Sequence, residues 1–413
     1  MIVANDMVYD SRVDRHAETL GMNGYEVTVL CVHTSRTIQE EQRPHYSIVR
    51  KRDFLRKLIE VRMQAKAESR AASRSVEASE DSVFRSLMRT LVRLALAVTF
   101  DVSMMRAAER MNADLYVCND LDTLRVGVFM KLLGRRLVYD AHELYPDLFA
   151  ETPSHMRRLF RQLEALFIRF ADLVITVNEF IASELSSRYS IRLPTVIMNC
   201  PKTLAIPSHL RESARKLRVA LYQGGFVRER GLENVVLACR HLRNGIKVVL
   251  RGEGSIEARL GELVSNLGNC ILERPVPLSE VVARAAEADV GIVTYLPTTL
   301  NNLYASPNKL FEYLQAGLPL VGSNLPFIRK VIVENDVGLV FDPNNPEDIA
   351  RAINSVTQDE VYERLRMNVE RIKGKFSWEA ESRKLLSAIS DIGPVGYRNE
   401  KERRPLRSSP PHA

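Results

Sequence analysis

Cysteine and long apolar runs are scarce in this 413-residue chain, and no short-period repeat is present. The five cysteines are odd in number and scattered, which excludes a disulfide-stapled mini-protein and favours buried thiols in a reducing compartment. No Cys/His spacing is typical of a zinc site. The longest stretch without Asp, Glu, Lys or Arg, 290–308, is too polar for a bilayer core. Residues 1–6 have no basic region before an apolar core, so we expect no secretory signal peptide.

The remaining composition is that of a globular protein. Hydrophobic residues make up 46% and charged residues 26%, and the length suggests two or three domains. The net charge of +7 is concentrated in 43–106, which holds 14 Lys/Arg against 7 Asp/Glu. This basic segment is either a patch for an anionic partner or a solvated helix surface. It has few interleaved aromatic residues, which disfavours nucleic-acid binding.

Short apolar runs alternate with helical patterns along the chain. This alternation predicts parallel sheets with helical crossovers, and it restarts after residue 207. We therefore expect an α/β fold of two doubly wound domains with a boundary near 200–215. A helix with apolar residues on one face is expected within 84–95, either packed on the sheet or at a membrane surface, and the tail 394–413 is expected to be disordered. The predicted strands are 2–4, 26–31, 114–118, 136–139, 173–177, 218–222, 246–250, 270–273, 290–294, 318–321 and 338–341.

The segment from Ser306 to Pro319 carries the clearest helix signals. Ser306 followed by Pro307 predicts an N-cap and a first helical position, and Gly317 predicts the end of the helix. The helix follows a buried strand, so its N-terminus should lie where doubly wound sheets bind ligands, with free N–H groups for an anion.

Polar residues of the same helix suit a nucleoside diphosphate. Asn308, Lys309 and Glu312 share one face, while Leu310 takes the opposite one. A phosphate at the helix N-terminus would leave Glu312 placed to accept hydrogen bonds from ribose hydroxyls. The alternative is an ordinary capped helix with a solvated Lys and Glu.

A glycine-rich loop follows the predicted strand 218–222. Gly224 and Gly225 allow close approach of the backbone to a ligand, and Arg228 and Arg230 could neutralise a pyrophosphate before the next helix. The loop has neither the GxGxxG spacing of a dinucleotide fold nor the P-loop pattern. The loop supports a phosphate-binding site only together with the Ser306 helix, which is predicted in the same domain.

Further polar residues follow strands of the N-terminal half. Asp140, His142 and Glu143 end a strand, where His142 could bind a sugar hydroxyl or a developing phosphate charge. The alternative is that Asp140 and Glu143 cap the next helix. Arg12 is either a ligand for acceptor or phosphate or a surface charge on the first helix.

The pair Asp120 and Asp122 matches the DxD pattern that binds a divalent metal in some sugar-nucleotide enzymes. Asp122 also makes a good N-cap for the following helix, and we favour a capping or acceptor-loop role over a metal site.

These elements, in this order, resemble the family 4 retaining glycosyltransferases, which have the GT-B fold. The resemblance spans about residues 5–385 and implies two Rossmann-like domains facing across a cleft: an acceptor-side domain, 1–205, and a nucleotide-sugar-binding domain, 206–375. Residues 377–379 resemble the start of a C-terminal helix, 376–393, that crosses back to the first domain. The segments that carry the resemblance are 10–13, 139–143, 224–231, 251–254, 288–290 and 306–319.

The resemblance also implies roles for individual residues. Glu312 matches the second Glu of the family's E-x7-E motif, and the first falls at Tyr304. Arg230 matches the residue that contacts the diphosphate, and Val276 lies in the loop that meets the nucleobase. The expected catalytic residues are His142, Glu143 and Lys309; the expected nucleotide-sugar ligands are Gly224, Gly225, Arg228, Arg230, Arg251, Val276, Ser306, Pro307, Asn308, Leu310 and Glu312; the expected acceptor-side residues are Asp10, Arg12 and Asp120.

The implied activity is transfer of a sugar from a nucleoside diphosphate sugar to a hydroxyl acceptor, with retained anomeric configuration. No cofactor is expected, and no metal is needed if Lys309, Arg230 and the helix N-terminus stabilise the leaving diphosphate. The alternatives are a sugar-nucleotide epimerase and a non-catalytic partner of another transferase.

The expected acceptor is a lipid-linked or polysaccharide intermediate of bacterial glycan assembly. We expect a cytoplasmic enzyme at the inner face of the membrane and no nucleic-acid partner. The nucleotide base, the sugar and the oligomeric state are not fixed by the sequence.

Overall fold

Two largely parallel β-sheets organise the chain. The computed structural model describes residues 1–52, 101–205 and 218–393. Most of the basic segment, including the helix predicted within 84–95, and the tail 394–413 lie outside the described residues. The first sheet contains β1 (Thr28–His33), β2 (Glu40–Gln42), β3 (Ser47–Arg52), β4 (Leu115–Asn119), β5 (Arg136–Ala141), β6 (Leu173–Thr176) and β7 (Thr195–Val196).

The first sheet is joined at its centre by a single residue. Its strands run in the orders β2-β3-β1 and β4-β5-β6-β7, and Ile2 bridges Leu30 of β1 and Cys118 of β4. Every pairing is parallel except that of β2 with β3. The strand predicted over 2–4 is shortened to this parallel bridge at Ile2, which pairs with strands on both sides. The side chains of Asn5 and Asp6 accept hydrogen bonds from the amides of residues two positions on, which turns the chain away from the sheet.

The second sheet has the strand order of a dinucleotide-binding domain. It contains β8 (Arg218–Gln223), β9 (Ile246–Arg251), β10 (Cys270–Glu273), β11 (Val290–Val293), β12 (Leu320–Ser323) and β13 (Gly338–Phe341). All pairings are parallel in the order β10-β9-β8-β11-β12-β13. The strand order reverses between β8 and β11, and such a switch point is where doubly wound folds bind ligands.

Helices cover these sheets and carry most of the apolar contacts. The helices are α1 (Ser11–Met22), α2 (Asp120–Leu132), α3 (Ser154–Phe167), α4 (Glu179–Tyr189), α5 (Leu232–Ala238), α6 (Glu257–Val264), α7 (Val281–Ala285), α8 (Leu300–Leu303), α9 (Asn308–Ala316), α10 (Pro326–Glu334), α11 (Pro346–Val356), α12 (Asp359–Ile372) and α13 (Trp378–Ser390). Residues 101–111 are also helical. No described helix is both long and apolar enough to cross a membrane.

The last helix, α13, packs against the first sheet rather than the second. Trp378, Leu385 and Ile389 form one apolar cluster with residues of β4, β5 and β6. The indole Nε1 of Trp378 donates to Thr19 Oγ1 of α1 at 2.8 Å. The chain therefore returns to its N-terminal half after the second sheet is complete.

The N-terminal end of the basic segment belongs to the first sheet. Residues 47–52, which the sequence placed in an interruption of the domain, form β3 and pair with β1. Arg50 is buried and donates to the carboxylate of Glu41 and to the carbonyl oxygens of Asp6 and Ile38. One of the charges in the segment is thus internal and structural.

Candidate active site

The glycine turn after β8 lies beside a basic side chain. Gly224 has φ +138°, a backbone conformation that residues other than glycine rarely adopt. A Cβ there would lie 3.0 Å from Nζ of Lys309, so the turn and this ammonium are in contact. A Cβ at Gly252 would lie 1.9 Å from the carbonyl oxygen of Gly224, so the loops after β8 and β9 touch backbone to backbone.

Helix α9 presents an uncapped N-terminus to the same region. The helix begins at Asn308, and Pro307 is its N-cap with φ −73° and ψ 132°. The prediction that Ser306 caps it is wrong by one residue, because the extended Pro307 leaves Ser306 outside the helix. Proline cannot accept a side-chain capping bond, so the first amides remain available to an anion. The predicted end at Gly317 is confirmed by its left-handed conformation.

Two cations lie against aromatic rings at this helix. Lys309 is buried, with Nζ 4.2 Å from the ring centre of Tyr222 and 5.5 Å from that of Tyr295. The Arg230 guanidinium lies 3.9 Å from the ring centre of the same tyrosine, Tyr295. Burial, and then the charge of Arg230, lower the pKa of Lys309 to about 7. This pair of cations is poorly compensated and favours an anionic ligand.

Glu312 lies one turn further along α9. Its Oε2 accepts a hydrogen bond from Gln223 Nε2 at 3.2 Å, which fixes the carboxylate at the end of β8. Burial raises the pKa of Glu312, although Lys309 opposes that effect. Glu312, Lys309 and the Gly224 turn therefore meet at one edge of the second sheet.

In the N-terminal half, His142 lies between two carboxylates. Its Nδ1 is 3.3 Å from Asp120 Oδ2, and its Nε2 is 3.5 Å from Asp140 Oδ2. Asp120, in a left-handed conformation with φ +59°, also accepts from the amide of His142 at 3.0 Å. Burial disfavours the charged ring, but Asp120 and Asp140 outweigh it and raise the pKa of His142 to about 9. The ring is therefore a fixed cation at neutral pH.

The side chain of Arg12 is buried and binds groups of the protein itself. Its guanidinium binds both carboxylate oxygens of Asp140, at 3.0 and 2.6 Å, and donates to the carbonyl of Ile197 at 2.7 Å. Against the effect of burial, Arg12 and then His142 hold the pKa of Asp140 well below its usual range. The burial of Arg12 excludes the interpretation as a surface charge, and its role as a ligand for acceptor or phosphate stays a prediction.

The same network reaches the last helix. His16 Nδ1 lies 3.5 Å from Asp140 Oδ2, and its ring stacks on Trp378 with centres 5.3 Å apart. Burial, with Arg12, lowers the pKa of His16 to about 3, so its ring is neutral. Asp140 thus links α1, β5, His142 and, through His16, α13. It does not cap the following helix.

A cavity of about 440 Å³ opens between the two halves of the chain. Six predicted site residues line it: Asp10, Arg12, His142, Glu143, Ser306 and Asn308. Five lining residues that the sequence did not single out join them: Asn5, Asp6, Tyr9, Val177 and Asn199. Asp10 also caps α1 by accepting from the amide of Val13.

Glu143 lies at this cavity and remains accessible to solvent. The surrounding cleft walls desolvate its carboxylate, and together with the charge of Asp120 they raise its pKa to about 7. Such a carboxyl group can exchange a proton near neutral pH.

Two predicted ligands, Arg251 and Leu310, are held by contacts within the second half. Arg251 donates to Glu273 and to the carbonyl of Arg284, so its guanidinium is held by the protein. Leu310 is fully buried in the core, and its amide donates to Pro307. Both residues have structural contacts, and their predicted roles as nucleotide-sugar ligands are not supported by this arrangement. Val276 lies half-buried in the loop after β10, and Arg228 is exposed.

The Asp120–Asp122 pair does not form one carboxylate site. Asp122 accepts from the Tyr145 hydroxyl at 2.6 Å, whereas Asp120 binds His142. The prediction that Asp122 is an N-cap is wrong, because α2 begins two residues earlier at Asp120. Among the described residues, no group of three or more His, Cys, Asp or Glu side chains could hold a metal.

Tyr304 joins the two halves of the chain. Its ring stacks on Phe180 of α4 with centres 5.8 Å apart, and its carbonyl accepts from Asn178 at 2.7 Å. Nearby, Asn301 Oδ1 accepts from the amide of Leu144 at 2.9 Å. The position that carries the first Glu of the E-x7-E motif is therefore a contact between the halves.

Comparison with known families covers both halves. A Glycosyltransferase Family 4 model matches residues 11–200, and a Glycosyl transferases group 1 model matches residues 210–373. The chain belongs to glycosyltransferase family 4. The expected relation to glycosyltransferase family 4 and the expected doubly wound α/β fold are confirmed, whereas retention of configuration and a role in bacterial glycan assembly stay predictions.

Relatives of this family 4 protein are distant in sequence. A Mycobacterium tuberculosis glycogen synthase is 23% identical over 279 residues, 62% of this chain. The chain spans 62% of the length of that relative. A Bacillus subtilis glycosyltransferase named for teichuronic acid biosynthesis is 34% identical over 108 residues, 25% of this chain and 27% of that protein.

Solved structures share the fold of the whole described chain. Sucrose-phosphate synthase from Thermosynechococcus elongatus matches with a TM-score of 0.69 at 17% identity, covering 92% of both chains. An E. coli structure described as trehalose-6-phosphate bound with UDP-2-fluoro glucose matches with a TM-score of 0.67 at 11% identity, covering 95% of this chain and 98% of that one.

Proposed function

We propose that this family 4 protein transfers a sugar from a nucleoside diphosphate sugar to a hydroxyl acceptor, with retained anomeric configuration. One observation carries the proposal: Lys309, Arg230 and the uncapped N-terminus of α9 converge beside the Gly224 turn. A diphosphate satisfies all three, because each offers positive charge or free N–H donors. Similar folds solved in complex with UDP support the choice of ligand.

The chain's residues would act chiefly on the leaving group. As the bond between sugar C1 and the phosphate oxygen breaks, the diphosphate takes the electron pair, and Lys309 and Arg230 stabilise the added charge. The acceptor oxygen attacks C1 from the same face and loses its proton to the departing phosphate oxygen. Glu312 would hold the ribose hydroxyls, which fixes the donor during the reaction.

His142 and Glu143 would act on the other side of the sugar. The His142 ring nitrogens already face Asp120 and Asp140, so we assign the ring an electrostatic role, as a fixed positive charge at the cleft. Glu143, with a pKa of about 7, is placed to accept or donate a hydrogen bond at a sugar or acceptor hydroxyl.

A nucleotide-binding panel tests the donor site. We expect one of UDP, GDP, ADP or CMP, or its sugar, to raise the melting temperature by mass action. Glu312→Ala should weaken that ligand about tenfold or more, since a hydrogen bond to a charged group contributes about 1.5–3 kcal/mol. Differential scanning fluorimetry at several ligand concentrations measures both effects.

The control for this panel is Glu280→Ala, which removes an exposed carboxylate of the same domain. It should leave the shift unchanged. No shift with any nucleotide would refute the transferase proposal. Binding without turnover across an acceptor panel would instead favour a non-catalytic partner.

We further propose that the acceptor lies at the inner membrane face, as a lipid-linked or polysaccharide intermediate. Helix α3 carries the features that support a membrane-facing surface. Its Leu159 and Leu166 are 43% and 56% exposed and lie on one helix face. Arg158, next to Leu159 in the chain, and Arg169, three residues after Leu166, are also exposed. Exposed leucines flanked by arginines suit an anionic lipid surface.

Liposome flotation tests this membrane surface. We expect binding to vesicles of phosphatidylglycerol and phosphatidylcholine to exceed binding to phosphatidylcholine alone, and the double variant Leu159→Ser/Leu166→Ser to lose most of it. Met367→Ser changes an equally exposed apolar residue on α12 and should have no effect. Equal flotation with both vesicle types, or no effect of the α3 variant, would contradict the proposal.

A further inference from the structure

Residues 296–307, which connect β11 to α9, form a bridging segment between the two halves. At its start, Leu296 donates its amide to the carbonyl of Glu229, the residue before Arg230, at 2.8 Å. At its end lies Pro307, the N-cap of α9. The two ends of the bridging segment therefore lie at two parts of the proposed diphosphate site, the Arg230 loop and the α9 N-terminus.

Within this region, each half places an aromatic side chain on the apolar core of the other. Tyr304 of the bridging segment packs, together with Leu300, against the core of the first half. Phe180 of α4 packs against the core of the second half. The two rings stack with centres 5.8 Å apart and planes 20° from parallel. The stack therefore holds the bridging segment against the first half.

Two buried asparagines add directional contacts around this stack. Asn178 caps the N-terminus of α4, and its Nδ2 donates to the carbonyl of Tyr304 at 2.7 Å. On the bridging segment, Asn301 Oδ1 accepts from the amide of Leu144, the residue after Glu143, at 2.9 Å. The segment that ends at the diphosphate site is thus also bonded to the loop that carries Glu143.

Resting on the proposed function, we propose that Tyr304 is a positioning residue, which holds the bridging segment on the first half and so aligns the α9 N-terminus with the loop 142–143. That loop and the α9 N-terminus line the same cavity. Only residues 305–307 separate Tyr304 from α9, and Pro307 restricts its own backbone and that of Ser306. Because this connection is short and stiff, it transmits a displacement of Tyr304 to α9.

Tyr304→Ala should separate nucleotide binding from turnover. Lys309, Arg230 and Glu312 are held by contacts within the second half, so the Kd of the nucleoside diphosphate should stay within about threefold. A displacement of about 1 Å between groups on opposite sides of the sugar should lower kcat about ten- to hundredfold. Tyr304→Phe keeps the stacked ring and should retain the wild-type kcat.

The measurements use the full-length protein and the donor selected by the nucleotide panel. Isothermal titration calorimetry gives the Kd of the nucleoside diphosphate. Release of that diphosphate at saturating donor, without acceptor and with a panel of octyl glycosides, gives kcat. Circular dichroism establishes that each variant is folded at the assay temperature. If Tyr304→Ala does not fold, Tyr304→Leu takes its place, because leucine keeps an apolar side chain on the core without the ring.

Replacement by the family's own residue gives a second test. Tyr304→Glu restores the E-x7-E pattern, but it removes the ring and places a carboxylate against the apolar core. We expect it to lower kcat at least as much as Tyr304→Ala does. A ligand role of residue 304 toward the donor sugar predicts the opposite result, a higher kcat or a lower donor KM.

Variants of the partner ring assign the effect to the stack. Phe180→Ala should lower kcat as Tyr304→Ala does and leave the Kd unchanged. The double variant should lose no more than about twofold beyond either single variant, because both remove the same contact. Lys330→Met is the control, since it breaks an exposed ion pair with Glu179 between the same two halves and should change kcat less than about twofold.

Failure of this inference is distinguishable from failure of the proposed function. A wild-type kcat in folded Tyr304→Ala or Phe180→Ala overturns the inference alone. A loss of nucleotide affinity as large as the loss of kcat, or a gain of activity in Tyr304→Glu, also overturns it. Absence of nucleotide binding in the wild type removes the proposed function and the inference together.

Discussion

Lys309→Met is expected to lower kcat/KM for the donor sugar by about 10²–10³, the range typical for removing one donor that stabilises transition-state charge. Methionine fills a similar volume between Tyr222 and Tyr295, so the fold should be retained. Steady-state kinetics of diphosphate release measure the loss. Lys375→Met, which changes an exposed lysine of the same half, should leave kcat/KM within about twofold, as expected for a surface site.

The pH dependence of donor binding gives Lys309 a second signature. Burial lowers its pKa to about 7, so in the free protein the ammonium loses its proton as pH rises through that value. A diphosphate favours the charged form, so binding above pH 7 should take up a proton and weaken with increasing pH. Calorimetry in buffers of different ionisation enthalpy should detect the uptake in wild type and not in Lys309→Met. Equal uptake in both proteins would place the titrating group elsewhere.

Asp140→Asn is expected to destabilise the fold by about 3–5 kcal/mol, because it leaves the buried Arg12 without its carboxylate partner. Urea unfolding followed by circular dichroism measures the free energy of unfolding. Glu262→Gln breaks an exposed ion pair with Arg259 on α6 and should change stability by less than about 1 kcal/mol. A change of that small size in Asp140→Asn would show that the network does not stabilise the native state.

The same variant should alter the pH dependence of stability through His142. Its folded pKa of about 9 lies above the ordinary value of 6.5, so the stability it contributes is fully present below pH 6.5 and is lost as pH rises through 9. Asp140→Asn removes one of the two carboxylates that raise this pKa. The stability difference between wild type and variant should therefore shrink as pH rises from 6.5 to 10.

The fold could be predicted from local patterns because the strands of both sheets are short apolar runs. The strands over 270–273 and 338–341 were predicted with the bounds that the structure shows. Apart from 2–4, which is reduced to a bridge at Ile2, the other predicted strands differ from the observed ones by one or two residues at one or both ends. Three strands were missed: Glu40–Gln42, Ser47–Arg52 and Thr195–Val196. The segment 47–52 was interpreted as part of a basic insertion because Arg50, Lys51 and Arg52 are charged. The charge of the buried Arg50 is paired with Glu41 on the neighbouring strand β2, and the sequence pattern did not indicate this pair.

The candidate site could be predicted only where its residues are adjacent in sequence. Lys309, Glu312 and the Gly224 turn were found because helix starts and glycine turns have local signatures. The Arg12–Asp140 pair joins residues 128 positions apart, and the Tyr304–Phe180 stack joins the two halves. Contacts between residues so far apart in the sequence produce no local spacing pattern from which they could be predicted. Tyr9 and Asn199 were missed for the same reason, since their relevance depends on which elements face the cavity.

The position of α13 has a consequence for the order in which the molecule assembles. The second sheet and the helices that cover it, 218–372, can form their core once residue 372 has been synthesised, because these elements are contiguous in the chain. The first sheet takes Trp378, Leu385 and Ile389 into its core, and Trp378 supports His16 beside Asp140. The half made first on the ribosome is therefore completed last. Nascent chains that end before residue 378 would hold a finished donor site opposite an unfinished acceptor site.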